Sequence, residues 1–327
     1  MKKLRILIGG LAAGIFFVSG FNAATAQVSR ALEVLQTNPD VRTNAMGDAL
    51  AARQDRMSLF VSPLALVPGE ENFGFEFSTQ LFPKVEGLQG NSNQYNLVAG
   101  YKFLDRHAIS VGFRYQSAPY VEYSYIDKPI PMEGDQAKVI KPFEWAIDLS
   151  YGFQITRDFS MSVAGNFVSS YVGTVGYTGG ASIGAFYNHD FGSAGILGVS
   201  LKANDLGAPI TYDNGRAYSM PASAQLSAEY GLSLAEKHSL NFLLGGRYFF
   251  LPLSSQMMTV GGGLEYDYNE MIFVRLGGNY GTRNLSKLTA GAGFKFARYF
   301  SIDLGYSHGF DSEVGLDVWS VGLSTRF

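Results

Sequence analysis

Between Phe143 and Phe153 the chain alternates strictly between two kinds of residue. The odd positions, Phe143, Trp145, Ile147, Leu149, Tyr151 and Phe153, are all apolar. The even positions, Glu144, Ala146, Asp148, Ser150 and Gly152, carry carboxylates, a hydroxyl and small side chains. Successive side chains of an extended chain point to opposite faces, so this run predicts a strand with one apolar and one polar face. About 11 residues rising roughly 3.3 Å each, tilted by about 40°, cover about 27 Å, which matches the ~25 Å apolar band of a membrane barrel.

The same period runs to the end of the chain. Ile109, Val111, Phe113 and Tyr115 alternate with Ser110, Gly112 and Arg114. Leu288, Ala290, Ala292, Phe294 and Phe296 oppose Lys287, Thr289, Gly291, Gly293 and Lys295. Fourteen such runs are predicted, at 72–83, 92–104, 107–117, 142–154, 158–169, 177–189, 194–204, 222–232, 237–250, 256–267, 270–281, 286–297, 299–309 and 315–327. Tight turns at Asp105-Arg106, Thr156-Arg157, Ala235-Glu236 and Tyr268-Asn269 alternate with longer segments at 118–141 and 205–221. An even number of strands, with short turns on one side and long loops on the other, predicts an all-β fold: a transmembrane antiparallel β-barrel of about 14 strands in the cell outer membrane. The short turns are then periplasmic. Lys128, Pro129, Pro131 and Asp135, and Asp213, Asn214 and Gly215, face outward.

A water-soluble sandwich also alternates, but its polar face would be rich in Lys, Glu and Thr. Here that face is rich in Gly, Ser and Asn with scattered charges of both signs, which suits a crowded lumen. Charged residues make up only 16% of the chain, against ~25% in soluble domains. Glu76, Lys102, Arg114, Glu144, Asp148, Lys202, Glu229, Arg247, Glu265, Arg275, Lys295, Asp303 and Arg326 all fall on the predicted inner face. The mixture of signs argues for pairing with each other, since a selective ion pore would show one dominant sign.

The N-terminus reads as a secretory signal over 1–26. Lys2, Lys3 and Arg5 precede an apolar run from Ile6 to Phe21, and Ala24-Thr25-Ala26 supplies the cleavage pattern, leaving Gln27 as the mature start. An uncleaved membrane helix is the competing reading. With no cysteine anywhere, a lipoprotein anchor, a disulfide framework and Cys-ligated zinc are excluded. A net charge of −3 does not suggest nucleic acid as a partner.

Three regions follow: the signal peptide, an N-terminal segment at 27–71, and the barrel at 72–327. Some 45 residues are too few for a domain, but they are enough to plug a fourteen-stranded lumen. Asp40, Arg42 and Asp48 are candidate anchors to the charges of the wall. The run Pro39-Asp40-x-Arg42-x-x-x-Met46-Gly47-Asp48-Ala49 resembles the N-terminal signature of the PorV/PorQ family. These are FadL-like outer-membrane proteins of Bacteroidota linked to the type IX secretion system. Tyr268 to Gly277, Leu288 to Phe296, and Asn204-Asp205-Leu206-Gly207 with Pro209, Ile210 and Pro221 extend the resemblance.

The resemblance implies a non-enzymatic component of type IX secretion. Such a protein receives secreted proteins bearing a C-terminal signal domain from the translocon barrel and passes them to a surface sortase. The loops would make the contact, with Tyr120, Tyr123, Tyr125 and Ile126 as apolar candidates. The alternative is a FadL-like channel for uptake of hydrophobic small molecules, which needs an apolar pocket and a lateral opening. The final strand ends on Phe327 with Gly322 five places before it, similar to the peptide read by the barrel-assembly machinery. Outer-membrane lipid is the remaining expected partner.

Chemistry is sparse. Gly180-Ala181-Ser182-Ile183-Gly184 satisfies G-x-S-x-G, but it lies in a predicted strand with no helix after it, so a nucleophilic Ser182 is not expected. His308 with Asp311 and Ser312 is the one candidate triad at the outer rim, and the plainer reading is a polar loop. Gly261-Gly262-Gly263 lacks the Lys-Ser/Thr of a phosphate loop. No histidine pair has metal-ligand spacing, and neither a metal nor a cofactor is expected.

Overall fold

The computed structural model describes residues 32–123, 138–213, 215–253, 256–282, 285–296, 299–310 and 317–327. The predicted signal peptide lies outside them, as do Tyr125, Ile126, Asp311 and Ser312.

Fourteen long strands make the wall. In chain order they are β1 (Phe73–Leu81), β2 (Asn93–Phe103), β3 (His107–Ser117), β4 (Phe143–Gln154), β5 (Phe159–Tyr171), β6 (Val175–Asp190) and β7 (Ile196–Gly207). They continue as β8 (Ser223–Ala235), β9 (His238–Phe249), β10 (Met257–Tyr268), β11 (Ile272–Gly281), β12 (Lys287–Phe296), β13 (Phe300–Gly309) and β14 (Val318–Arg326). Each pairs antiparallel with its sequence neighbours, and β1 pairs with β14, so the sheet closes with no edge. Closure satisfies every ladder group inside the wall, which is what hydrocarbon demands of a spanning sheet.

The period-two pattern sorts the two faces. Leu149 is 65% exposed and Leu244 63%, whereas Ala146 and Leu243 are buried toward the lumen. Such large apolar exposure suits lipid, not water. Near the short turns the outward residues become aromatic. His107 stacks on Phe103 and Phe153, Tyr187 on His189, and His238 packs against Tyr266 and Tyr268. In this girdle the Nδ1 atoms of His107 and His238 bond the hydroxyls of Tyr151 (2.7 Å) and Tyr266 (2.6 Å).

Two register shifts interrupt the simple alternation, one near the short turn between Ser233 and Ala235 and one in mid-wall. The β6–β7 register shifts between Ala181 and Ile183, where β7 carries one extra residue and Asp205 takes a positive φ of 57°. The Asp205 backbone N–H donates to Ser182 Oγ (3.1 Å) inside the barrel. Ser182 therefore sits mid-strand beside a bulge, not on a strand-to-helix elbow.

Inside the wall, residues 32–67 form four short turns: Glu33–Gln36, Val41–Asn44, Gln54–Arg56 and Pro63–Leu66. The chain enters beside Glu144, at the loop end of β4, and leaves at the turn end, where β1 begins. Leu59, Leu64, Ala65 and Leu66 form an apolar cluster there with Val98 and Phe186. At the opposite end Leu32, Val34 and Leu35 cluster with Ile210, Tyr212 and Met220. The latter belong to the loop expected to face outward. Its hairpin, Ile210–Tyr212 with Ala217–Tyr218, folds Ile210 and Tyr212 into the mouth, while Asp213 and Gly215 at its tip stay exposed.

Candidate functional site

The Pro39 to Asp48 run ties itself together before it meets the wall. Asn38 Oδ1 accepts from the Asp40 N–H (3.0 Å), and Asn38 Nδ2 donates to Thr43 Oγ1 and Asp48 Oδ1 (both 3.0 Å). Asp40 caps the turn Val41–Asn44, accepting from the Arg42 N–H (3.1 Å) and the Thr43 hydroxyl (2.9 Å). These caps satisfy backbone donors that so short a turn leaves unpaired.

Arg42 leaves this knot and meets the wall. It donates from Nε and Nη2 to both oxygens of Glu265 (2.9 Å each) and from Nη2 to Glu229 (2.7 Å). The second oxygen of Glu229 accepts from the backbone N–H groups of Ala52 and Arg53 (3.1 Å each). Glu265 is also held by Arg275 Nε (2.7 Å), which reaches on to Asp303 (2.5 Å). Both glutamates are fully buried. Burial alone would weaken the Arg42 cation, but Glu229 and Glu265 hold its pKa above the ordinary arginine value.

Further contacts line the segment. Ser78 Oγ donates to the Pro39 carbonyl (2.7 Å), and Lys287 pairs with Asp48 (3.0 Å). Arg56 pairs with Asp267 (2.6 Å), and Arg326 donates to the carbonyls of Met57 (2.8 Å) and Ala65 (3.1 Å). Glu144 accepts from the N–H groups of Leu32 and Val34 (3.1 Å each). Gly47 has a φ of +81°, and Met46 and Gly47 lie against the inward glycines of β10 and β11. A Cβ on Gly277 would meet Gly47 N at 2.5 Å, and one on Gly263 would meet Met46 Cα at 2.6 Å. The Gly261–Gly263 run thus supplies bare wall for another backbone.

The other sequence candidates fall elsewhere. Gly322 points inward, with Val41 Cγ2 3.1 Å from its notional Cβ. Phe327 exchanges backbone bonds with Phe73 (2.8 and 2.9 Å), and their rings lie 5.0 Å apart. Tyr120 is at the outer mouth, bridged to Gln89, with Lys141 Nζ 5.7 Å from its ring centre. Tyr123 ends a short strand, Val121–Tyr123, paired with Lys138–Ile140. His308 bonds Asp317 (2.8 Å). Sequence reasoning passed over Asn38, the hub of the knot, and the inward hairpin. An Asn directly before Pro39-Asp40 is a turn signal that could have marked the first.

Among the described residues, cavities open at three levels of the lumen. An outer vestibule of about 470 Å³ lies among Phe82, Pro119, Asn38, Asp48, Arg247 and Lys287. A central cavity of about 120 Å³ is faced by Arg114, Asp148, Lys202, Asp205 and Arg247. A third, of about 380 Å³, opens among Glu71, Glu270 and Tyr299 at the turn end.

Asp40 makes the segment pH-sensitive. Burial pushes its carboxyl up from 3.8 to about 6 against the pull of Arg42, while Glu76 and Asp303 add to the rise and the Thr43 hydroxyl opposes it. A carboxyl with a raised pKa favours the docked form while protonated. That contribution is full below the ordinary value and is lost as pH rises through about 6. Hydrogen exchange of residues 38–48, corrected for intrinsic rate, should be slower at about pH 4.5 than at about pH 7.5. Asp40→Asn should flatten that difference; an unchanged difference would assign it to another group.

A family model described as type IX secretion system protein PorV matches residues 22–243. No curated protein sequence matches the chain. Among solved structures, the toluene transporter TbuX of Ralstonia pickettii is similar with a TM-score of 0.59 at 13% identity, over 91% of this chain and 100% of that one. The toluene transporter TodX of Pseudomonas putida gives 0.58 at 13% identity, over 93% and 98%. The monoaromatic hydrocarbon channel CymD gives 0.58 at 13%, over 91% and 97%. At such identity the likeness is one of fold, a closed β-barrel; with the family match it places the chain in the outer membrane.

Proposed function

The chain belongs to the PorV family of type IX secretion system proteins, and from that premise we propose that it docks or carries secreted proteins at the cell surface while its N-terminal segment stays in the lumen. The observation that carries this reading is the Arg42–Glu229–Glu265 cluster. A buried guanidinium shared by two buried carboxylates is costly to break, so the segment favours staying docked. Work is then left to the outer face. Secreted proteins with a C-terminal signal domain, the translocon barrel and the surface sortase are the expected partners. Tyr120, the neighbouring loop and the exposed tip at Asp213 form the contact surface. Gly322 and Phe327 would serve the barrel-assembly machinery. The role requires no catalytic step.

A FadL-like channel for hydrophobic molecules is the competing reading, and the charged lumen lining speaks against it. Affinity purification of the tagged protein from solubilised outer membranes tests the choice. Recovery of a large translocon barrel, a sortase, or proteins sharing a C-terminal β-domain is the expected result. Recovery of the protein alone, with a hydrophobic ligand inside it, would overturn the carrier role.

A further inference from the structure

The three cavities form a series. The vestibule and the central cavity share Thr37, Asn38, Asp48 and Arg247 as lining residues. The central and turn-end cavities share Pro39 and Phe60. One layer of side chains therefore separates each cavity from the next. We propose that they form a narrow hydrated path through the docked lumen, gated by the Phe60 ring, that passes water and small inorganic ions of either sign.

The lining argues for water. Asn166 Oδ1 in the central cavity and Asn279 Oδ1 in the vestibule are buried with no partner among the described protein groups. A buried carbonyl left unbonded is costly, and a water molecule relieves that cost. At about 120 Å³ the central cavity is well below the ~300–1,000 Å³ of organic-ligand pockets. Water and hydrated ions fit it better than a hydrocarbon does.

The charges of the path are of both signs. Arg114 is held by both oxygens of Asp148 (2.8 and 2.5 Å), and Asp48 by Lys287. That leaves Lys202 and Arg247 against Asp205. Lys202 Nζ donates to the Val61 carbonyl (3.0 Å), and Arg247 to Ser223 Oγ (3.1 Å) and the Gln36 carbonyl (3.0 Å). Among the described residues no carboxylate comes within ion-pair distance of either cation. Asp205 already accepts from Asn166 Nδ2 (2.9 Å). Glu33 of the vestibule balances the remaining positive charge, so ions of neither sign are shut out, and low-dielectric walls make passage sensitive to each of these charges.

The gate follows from chemistry. Phe60 is an aromatic ring standing between two polar cavities, and an apolar constriction closes a water path by dewetting. Its backbone N–H donates to Ser58 Oγ (3.1 Å), and the side chain packs against the apolar cluster that holds Leu59, Leu64 and Leu66.

Planar-bilayer recordings of the purified full-length protein test this. Wild type should show a small conductance above lipid alone, Phe60→Ser should raise it severalfold, and Phe60→Trp should lower it. In a potassium chloride gradient, Lys202→Gln and Arg247→Gln should move the reversal potential toward cation preference. Heat-modifiable gel mobility establishes that each variant is a folded barrel. A folded Phe60→Ser protein with wild-type conductance, or a reversal potential indifferent to both charge changes, would overturn the proposal. Neither result bears on copurification with secretion partners, so the two readings fail separately.

Discussion

Replacing Arg42 with alanine is expected to weaken docking of the N-terminal segment by about 3–5 kcal/mol, the cost of removing one member of a buried ion cluster. The loss is large because the partners cannot follow. Glu229 and Glu265 are fixed on β8 and β10 and are fully buried, so two carboxylates would be left with one guanidinium fewer. Arg275 and Asn241 would still hold the two oxygens of Glu265, and the N–H groups of Ala52 and Arg53 one oxygen of Glu229. Arg42→Lys should recover only part of the loss, since an ammonium cannot span both oxygens of Glu265 while reaching Glu229. The readout is hydrogen exchange across residues 38–57 in the detergent-solubilised protein. Protection should collapse in Arg42→Ala while the wall strands keep theirs. Retained protection would mean that the segment is held by its apolar ends and not by its charges.

The second large effect is steric. Gly47→Val introduces a side chain at a φ of +81°, where a β-branched residue costs about 1–3 kcal/mol in backbone strain alone. Its Cβ would also lie 2.5 Å from the Gly262 carbonyl oxygen, and overpacking of this kind adds about 1–3 kcal/mol. Backbone on both sides leaves nothing flexible to yield. Gly277→Ala attacks the same contact from the wall and should act in the same direction. A lowered temperature for loss of compact gel mobility, with the strand content unchanged by circular dichroism, is the expected outcome. If either variant matched wild type in both segment protection and gel mobility, the close approach of segment and wall would not matter to stability.

How much of this was legible beforehand depends on the range of the interaction. The wall was readable because alternation is local: Phe143 to Phe153 announces its two faces within a dozen residues. The extra residue at Asp205 was not, since a bulge is visible only once β6 and β7 are in register. The inward fold of Ile210 and Tyr212 was hidden for a related reason. A loop between strands reads as outward until something inside the mouth offers an apolar partner, here Leu32, Val34 and Leu35. Arg42 stood out through its motif, but its choice of Glu229 and Glu265 spans 187 and 223 residues. Thirteen inner charges on a barrel wall offered no local means of choosing between them.

Gly322 illustrates two constraints on one position. A glycine five places before Phe327 resembles a terminal assembly signal, and it also leaves room for Val41 of the inner segment. The second role explains an absent side chain by packing alone.

The central claim is that the segment stays docked while the protein works, and a reversible lock tests it most directly. A Cβ on Gly322 would stand 3.4 Å from Val41 Cβ, close to the ~3.8 Å of a disulfide. The chain has no cysteine of its own, so Val41→Cys with Gly322→Cys creates a single defined pair. Surface display of type IX secretion cargo should then be measured in cells that carry only this variant, oxidised and reduced. The account predicts equal display in both states. Display that is normal when reduced and lost when oxidised would show that the segment must leave the lumen, and would contradict it.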